Sequence, residues 1–311
     1  MISDELRRAL EKLNRGPLGA GGTPHTAHPD KSGLHYAQPQ TAHGTPHTAN
    51  GETAKQKRGQ TGRVVRLEEI APGRIVEVEQ GACVVFERTV GSLFEDAEQV
   101  MRPFREVFLK GRHGLGEPAA GSDWERVVKT EPEGIAFLDI ETLGLVGTPV
   151  FLVGMVGWER GELVIRQHFA RDYSEEGAML ESARQGLGKC GCMVTFNGKT
   201  FDVPTLRDRL AAHLLEPMEV GFHFDLLHES RRRYRRVLSD CRLQTLEYHI
   251  CRRRRTGDVP GELIPQVYHD FVATGEASGI RDILYHNALD LVAMVEILTF
   301  MAGGGELGWE K

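Results

Sequence analysis

With 311 residues the chain is long enough for one large domain or two modest ones, each with a core of ordinary size. A net charge of −6 sets it apart from strongly basic nucleic-acid binders, although an acidic average can conceal a basic face. Five cysteines without a repeating spacing argue against a disulfide framework and for a reducing, cytoplasmic setting.

The opening MISDELRRALEKLNRG reads as a short amphipathic helix over residues 1–15, lacking the long apolar stretch of a signal peptide or a membrane span. No other apolar run approaches membrane length, so a soluble protein is expected. Residues 16–62 are rich in Gly, Thr, Pro, His and Ala and nearly repeat themselves, GTPHTA standing at 22–27 and again at 44–49. So few apolar side chains cannot offset the entropy of ordering, and a disordered linker is expected there. Its His25, His28, His35, His43 and His47 lack the preorganisation that a specific metal site requires.

Residues 63–130 are expected to form a small β/α accessory segment, with β-like runs VVRL, RIVEVE and ACVVFER before a helical run through FEDAEQVMRPFREVFL. From Gly134 the patterning sharpens. GIAFLDIE, PVFLVGMVGW and ELVIRQHFA are three short-linked strands, as in a meander. SEEGAMLESARQGL carries helical spacing behind a Ser cap. CMVTF reads as a buried strand, and Cys190 and Cys192 beside it as strand thiols without further ligands at zinc spacing. VPTLRDRLAAHLL is a helix and FHFDLL a last strand, after which a helical chain is expected through Arg255. A final helix holds Tyr285 to Phe300, and residues 304–311 form a tail. Three strands followed by alternating helix and strand place residues 131–303 in the α/β class, a mixed sheet flanked by helices.

Four acids stand out by position. Asp139 and Glu141 lie two apart on one face at the end of an apolar strand, where carboxylates incur a desolvation cost unless a cation compensates it. Asp202 follows the strand CMVTF through the turn NGKTF and begins a helix, where an acid alone would read as a cap. Asp290 interrupts the apolar face of the last helix. Hard oxygen ligands favour Mg²⁺ or Mn²⁺.

FLDIET, FNGKTFDVPTL and HNALD resemble the three exonuclease motifs of the DEDD (DnaQ-like) 3′→5′ exonuclease superfamily, and most of all its YprB-type ribonuclease-H-like group. FDLLHESRRRYRR, LQTLEYHI and RTGDVPGELIPQVYHDF are also similar to that group. The resemblance covers about residues 134–302 and implies a ribonuclease-H-like fold. It implies further that Asp139, Glu141, Asp202 and Asp290 are catalytic metal ligands, holding two divalent ions about 4 Å apart for phosphodiester hydrolysis, one activating water and the other stabilising the leaving oxygen. Thr142, Asn197 and Lys199 would then lie near the substrate, with Asn197 equally readable as a turn residue before Gly198. Asp225 is a supporting candidate.

In that superfamily the third motif carries a His five residues before its Asp or a Tyr four before. Here Tyr285 holds the five-residue offset and His286 the four-residue one. At 100° per residue, position i−4 shares the face of Asp290 whereas i−5 does not, provided the helix is already wound at Leu284. Imidazole also titrates near neutrality, so His286 is the expected general base.

Between Arg231 and Arg255 ten arginines stand against two acids, a local net of +8, which is the pattern of a phosphate-binding face. Arg231, Arg232 and Arg235 are its candidate contacts, unless solvation or pairing with acids elsewhere accounts for the charge. The activity implied is a metal-dependent exonuclease acting on single-stranded ends of DNA or RNA. The alternatives are a structure-specific endonuclease on the same fold, a catalytically inactive nucleic-acid-binding module, or an adaptor protein.

Overall fold

The structure is a computed structural model that describes residues 63–307, apart from 112–113, 115–117, 145–146, 189, 256 and 306. The expected N-terminal helix, the His-rich linker and most of the tail therefore lie outside the described residues. Seven strands form the sheet of the described residues: β1 (Gly73–Val78), β2 (Gly81–Thr89), β3 (Ile135–Thr142), β4 (Val150–Glu159), β5 (Glu162–Phe169), β6 (Cys192–Thr195) and β7 (His223–Asp225), in the order β1-β2-β5-β4-β3-β6-β7. The first five pair antiparallel, while β3 with β6 and β6 with β7 run parallel, so the sheet is mixed as expected.

The principal helices are α1 (Ala97–Phe104), α2 (Asp123–Lys129), α3 (Glu176–Leu187), α4 (Asp202–Ala212), α5 (Leu226–Tyr234), α6 (Ile264–Thr274) and α7 (Ser278–Ala302). Strands β3 and β4 read as near-continuous apolar runs because both faces of the sheet are covered. Leu138, Ile140 and Met155 pack with Met179 and Ala183 of α3 and Leu206 and Leu210 of α4. Phe137, Val156 and Trp158 pack with the second half of α7 and with α1.

Several expectations change. The 63–130 segment is not a separate layer: β2 pairs with β5, so β1 and β2 extend the main sheet. VVRL contains no strand, and a helical turn over Leu67–Ile70 buries Leu67 instead. Helix α3 is entered through a turn whose cap is Asp172, with the amide and hydroxyl of Ser174 both donating to that carboxylate. After α5 the chain is not continuously helical to Arg255; helical turns at Leu243–Leu246 and Glu247–Cys251 interrupt irregular backbone. By length and composition α7 is able to cross a membrane, contrary to the reading of the apolar runs. Its most apolar stretch is 78% buried inside the fold, which is what a core helix requires.

Candidate active site

Alternation along β3 sets Asp139 and Glu141 on the face that carries Ile135 and Phe137, the face that α7 covers. The pairing of β3 with β4 shifts register between Glu141 and Thr142, a bulge of the kind that re-aims side chains at strand ends. The Thr142 hydroxyl donates to the Gly144 carbonyl at 2.6 Å and closes the following turn, so this expected substrate contact is engaged locally.

Asp202 is delivered by the turn after β6. Asn197 adopts a left-handed φ of 66°, and a Cβ at Gly198 would lie 2.2 Å from the Thr195 hydroxyl, so the turn needs glycine there. Asp225, buried at the end of β7, accepts from the amides of Asn197 and Lys199 at 3.0 Å each and from the Leu227 amide that opens α5. One carboxylate thus fixes the turn and caps a helix. Asn197 serves as the turn residue, Lys199 is exposed beside it, and Asp202 itself is buried rather than capping α4.

Helix α7 supplies the last group. It begins at Ser278, so the chain is wound well before Leu284 and the offset argument holds. His286 Nε2 lies 3.6 Å from Asp290 Oδ2 one turn on, whereas Tyr285 is 44% exposed and packs its ring 5.9 Å from that of Phe94.

The four acids sense one another. Burial, then the charges of Asp290, Glu141 and Asp202, push Asp139 well above the usual carboxylate range. Burial likewise lifts Glu141 to about 8, against the charge of His286 and with those of Asp290 and Asp202. Asp202 rises to about 7, mainly by burial, although the amides of Asp202 and Ile140 oppose the shift. Burial alone would lower His286. The Asp258 hydrogen bond and the charges of Asp290 and Glu141 outweigh it and raise the imidazole to about 9.

Such crowding of hard anionic oxygens fits a divalent cation. Asp139, Glu141, Asp202 and Asp290 are the side chains that would hold it. Among the described residues no three His, Cys, Asp or Glu side chains are gathered into a ready coordination sphere. Two of the acids have other partners instead: Asn287 Nδ2 donates to Asp139 Oδ2 at 2.8 Å, and the Arg255 guanidinium donates to Asp290 Oδ1.

The arginine segment is less basic than its composition. Arg232 and Arg233 both pair with Glu229, Arg253 with Glu296, and Arg255 with Glu247, Asp258 and Asp290. Arg232 keeps 66% of its side chain exposed, but its pairing with Glu229 ranks it behind Arg231 and Arg235 as a phosphate contact. Arg231 and Arg235 are exposed. Tyr234, between Arg233 and Arg235, is buried in the core. Cys190 and Cys192 are buried free thiols, raised by that burial to about 11 and about 12.

Residue-type reasoning missed a polar row that crosses the sheet. Arg88 donates to Gln167 Oε1 at 2.6 Å, Gln167 Nε2 donates to Asn287 Oδ1 at 2.9 Å, and Asn287 reaches Asp139. Asn287 fits because a Cβ at Gly154, the register partner of Asp139, would stand 2.0 Å from its Oδ1. The signal was present as a lone glycine inside an apolar strand, which marks close approach by another group. Asp258 and Arg255 were also missed, since nothing local distinguishes them in a run of charges.

This strand order and this convergence of acids define a class. The chain belongs to the RNase_H superfamily, whose description matches residues 136–302. It is also similar to the uncharacterized protein YprB of Bacillus subtilis (strain 168), 30% identical over 230 residues, covering 68% of this chain and 54% of the relative. The chain thus spans about half the length of that curated relative. RNase H-like nucleases generally use divalent metal ions, typically Mg²⁺.

Proposed function

We propose that the protein is a metal-dependent 3′→5′ exonuclease of DEDD type that hydrolyses phosphodiester bonds at single-stranded ends of DNA or RNA. The observation that carries this reading is the convergence of Asp139, Glu141, Asp202 and Asp290 from β3, α4 and α7, with His286 one helical turn from Asp290. Polarity and end preference rest on the resemblance of FLDIET, FNGKTFDVPTL and HNALD to the exonuclease motifs.

Mg²⁺ or Mn²⁺, bound as a pair, would supply charge neutralisation at the attacking and leaving oxygens. In its neutral form, which gains population as pH approaches the imidazole's pKa of about 9, His286 takes the proton of the attacking water at Nε2, and Asp290 beside it stabilises the resulting imidazolium. Asn287 holds Asp139, and Asp225 holds the turn that delivers Asp202. Lys199, Arg231 and Arg235 are exposed cations available to the phosphate backbone.

End-labelled DNA and RNA oligonucleotides, together with a circular single strand, incubated with Mg²⁺, Mn²⁺ or EDTA, test the reading. Expected is stepwise shortening from the 3′ end that requires metal and is lost in Asp139→Ala. Cleavage of the circle would make the enzyme an endonuclease. No metal-dependent product from any substrate would leave a binding module.

A further inference from the structure

We infer that Asp258 is a positioning residue for His286, fixing the imidazole so that Nδ1 carries the proton and Nε2 faces the carboxylates. The inference rests on the nuclease reading above and adds a group that its motifs do not contain.

Asp258 Oδ1 lies 2.8 Å from His286 Nδ1, and Asp258 Oδ2 accepts from Arg255 Nη1 at 3.1 Å. A carboxylate has no proton to give, so Nδ1 must be the donor. Arg255 is in turn anchored by Glu247, whose Oε2 accepts from Arg255 Nε at 2.6 Å. Both oxygens of Asp258 are therefore engaged, and its side chain, 12% exposed, has little freedom to turn away. The backbone is shaped for this: Arg252 and Gly257 both take left-handed φ, 54° and 74°, bringing Arg255 and Asp258 against α7 from a loop.

On the other side of the ring, Asp290 Oδ2 faces Nε2 at 3.6 Å. Without Asp258, acids would compete for either nitrogen and both tautomers would be populated. With it, the lone pair of neutral His286 sits on Nε2, facing the acids. During hydrolysis the water proton passes to Nε2 and the water oxygen bonds to phosphorus. The bond from phosphorus to the leaving nucleotide oxygen breaks, and that oxygen is protonated from solvent. The imidazolium, flanked by Asp258 and Asp290, returns its proton to solvent after product leaves. A residue oriented this way is worth far more to turnover than to substrate binding.

The test compares wild type, Asp258→Asn, Asp258→Glu, His286→Ala and the Asp258→Asn/His286→Ala double variant in the full chain with Mn²⁺. Expected for Asp258→Asn is a fall in kcat between about a hundredfold and ten-thousandfold with KM within about threefold, partly restored by Asp258→Glu. The double variant should be no slower than His286→Ala, because residues acting as a unit are not additive. Nitrogen-15 histidine NMR, recorded with Mg²⁺ in place of paramagnetic Mn²⁺ and at a pH where the ring is neutral, should show the Nδ1–H form of His286 in wild type and lose it in Asp258→Asn. A kcat change below about threefold, additive losses in the double variant, or an unchanged tautomer would each overturn the inference. Should wild type hydrolyse nothing while the tautomer still depends on Asp258, the nuclease reading fails and the positioning stands.

Discussion

Two kinds of buried acid stand beside the same sheet and behave in opposite ways. Glu176, at the start of α3, is 3% exposed, yet it accepts from the Val150 amide at 2.9 Å and the Arg209 guanidinium at 2.7 Å, and lies 3.0 Å from His213 Nε2. Burial would raise its pKa, but these bonds overcome that and hold it below the usual carboxylate range. Under α7, Asp139, Glu141 and Asp202 are all raised, because burial and one another's charge exceed what Asn287 and two backbone amides return. The first set staples α3 and α4 to β4. The second is a cluster whose ionised form is unfavourable until protons or a bound cation answer it, and a fold retains such strain where it has a use.

The sharpest break in this comparison comes from neutralising one acid in each set. Asp139→Asn should lower hydrolysis by about a thousandfold, the rate equivalent of the several kcal/mol that metal charge stabilisation supplies. In EDTA at alkaline pH the same variant should unfold at higher urea, since the repulsive charge that Asp139 develops there is gone. Glu176→Gln should do the reverse, keeping kcat within about threefold while costing about 2–3 kcal/mol of stability, because a buried partner of Arg209 is lost. Stability changes of the same sign would show that the two sets do not differ in kind.

The pH dependence without metal separates the sets again. Glu141 at about 8, Asp202 at about 7 and His286 at about 9 all titrate above their unfolded values. In each case the folded state holds a proton that the unfolded chain has released. Their contribution is fully present below the unfolded pKa, about 4 for the acids and 6.5 for histidine, and is lost as pH rises through the folded one. Stability in EDTA should therefore decline from pH 5 toward pH 9, measured by urea titration at fixed ionic strength. Saturating Mn²⁺ should flatten the decline, as should Glu141→Gln. The depressed Glu176 works the other way, contributing above its unfolded pKa and losing that contribution only as pH falls through the folded value. Glu176→Gln should leave the slope between pH 5 and 9 unchanged.

Three of the acids were legible because each departs from its local pattern: Asp139 and Glu141 break an apolar strand, and Asp290 breaks the apolar face of a helix, whereas Asp202 alone reads as a helix cap and stands out only within FNGKTFDVPTL. Strand β3, the turn at Asn197 and helix α7 were readable from periods of two and of 3.6. What supports the acids was not. Asp258 reaches His286 across 28 positions of sequence, and Gln167 reaches Asn287 across 120, so no window contains both partners. The 63–130 segment was set apart because strands far apart in sequence, β2 and β5, close the sheet between them. Composition misled most in the arginine run, where charge counted along the chain ignores acids brought in from elsewhere.

That run yields the smallest effect and extends the comparison to the surface, where pairing again decides what a charge can do. Arg231, Arg232 and Arg235 of the same helical segment are all exposed, but Arg232 shares Glu229 with Arg233. A cation that must first leave a carboxylate gains little from a phosphate, while an exposed one releases a counterion at no such cost. Arg231→Ala and Arg235→Ala should each weaken binding of a single-stranded oligonucleotide by a few-fold at about 0.1 M salt and reduce the salt slope by about one. Arg232→Ala should change the slope by less than half as much, because Glu229 already answers its charge. Fluorescence anisotropy across a salt series, in Ca²⁺ or EDTA to prevent turnover, measures all three. Equal slopes for the three variants would mean that the ion pair with Glu229 opens freely, and Arg232 would rejoin the candidate phosphate contacts.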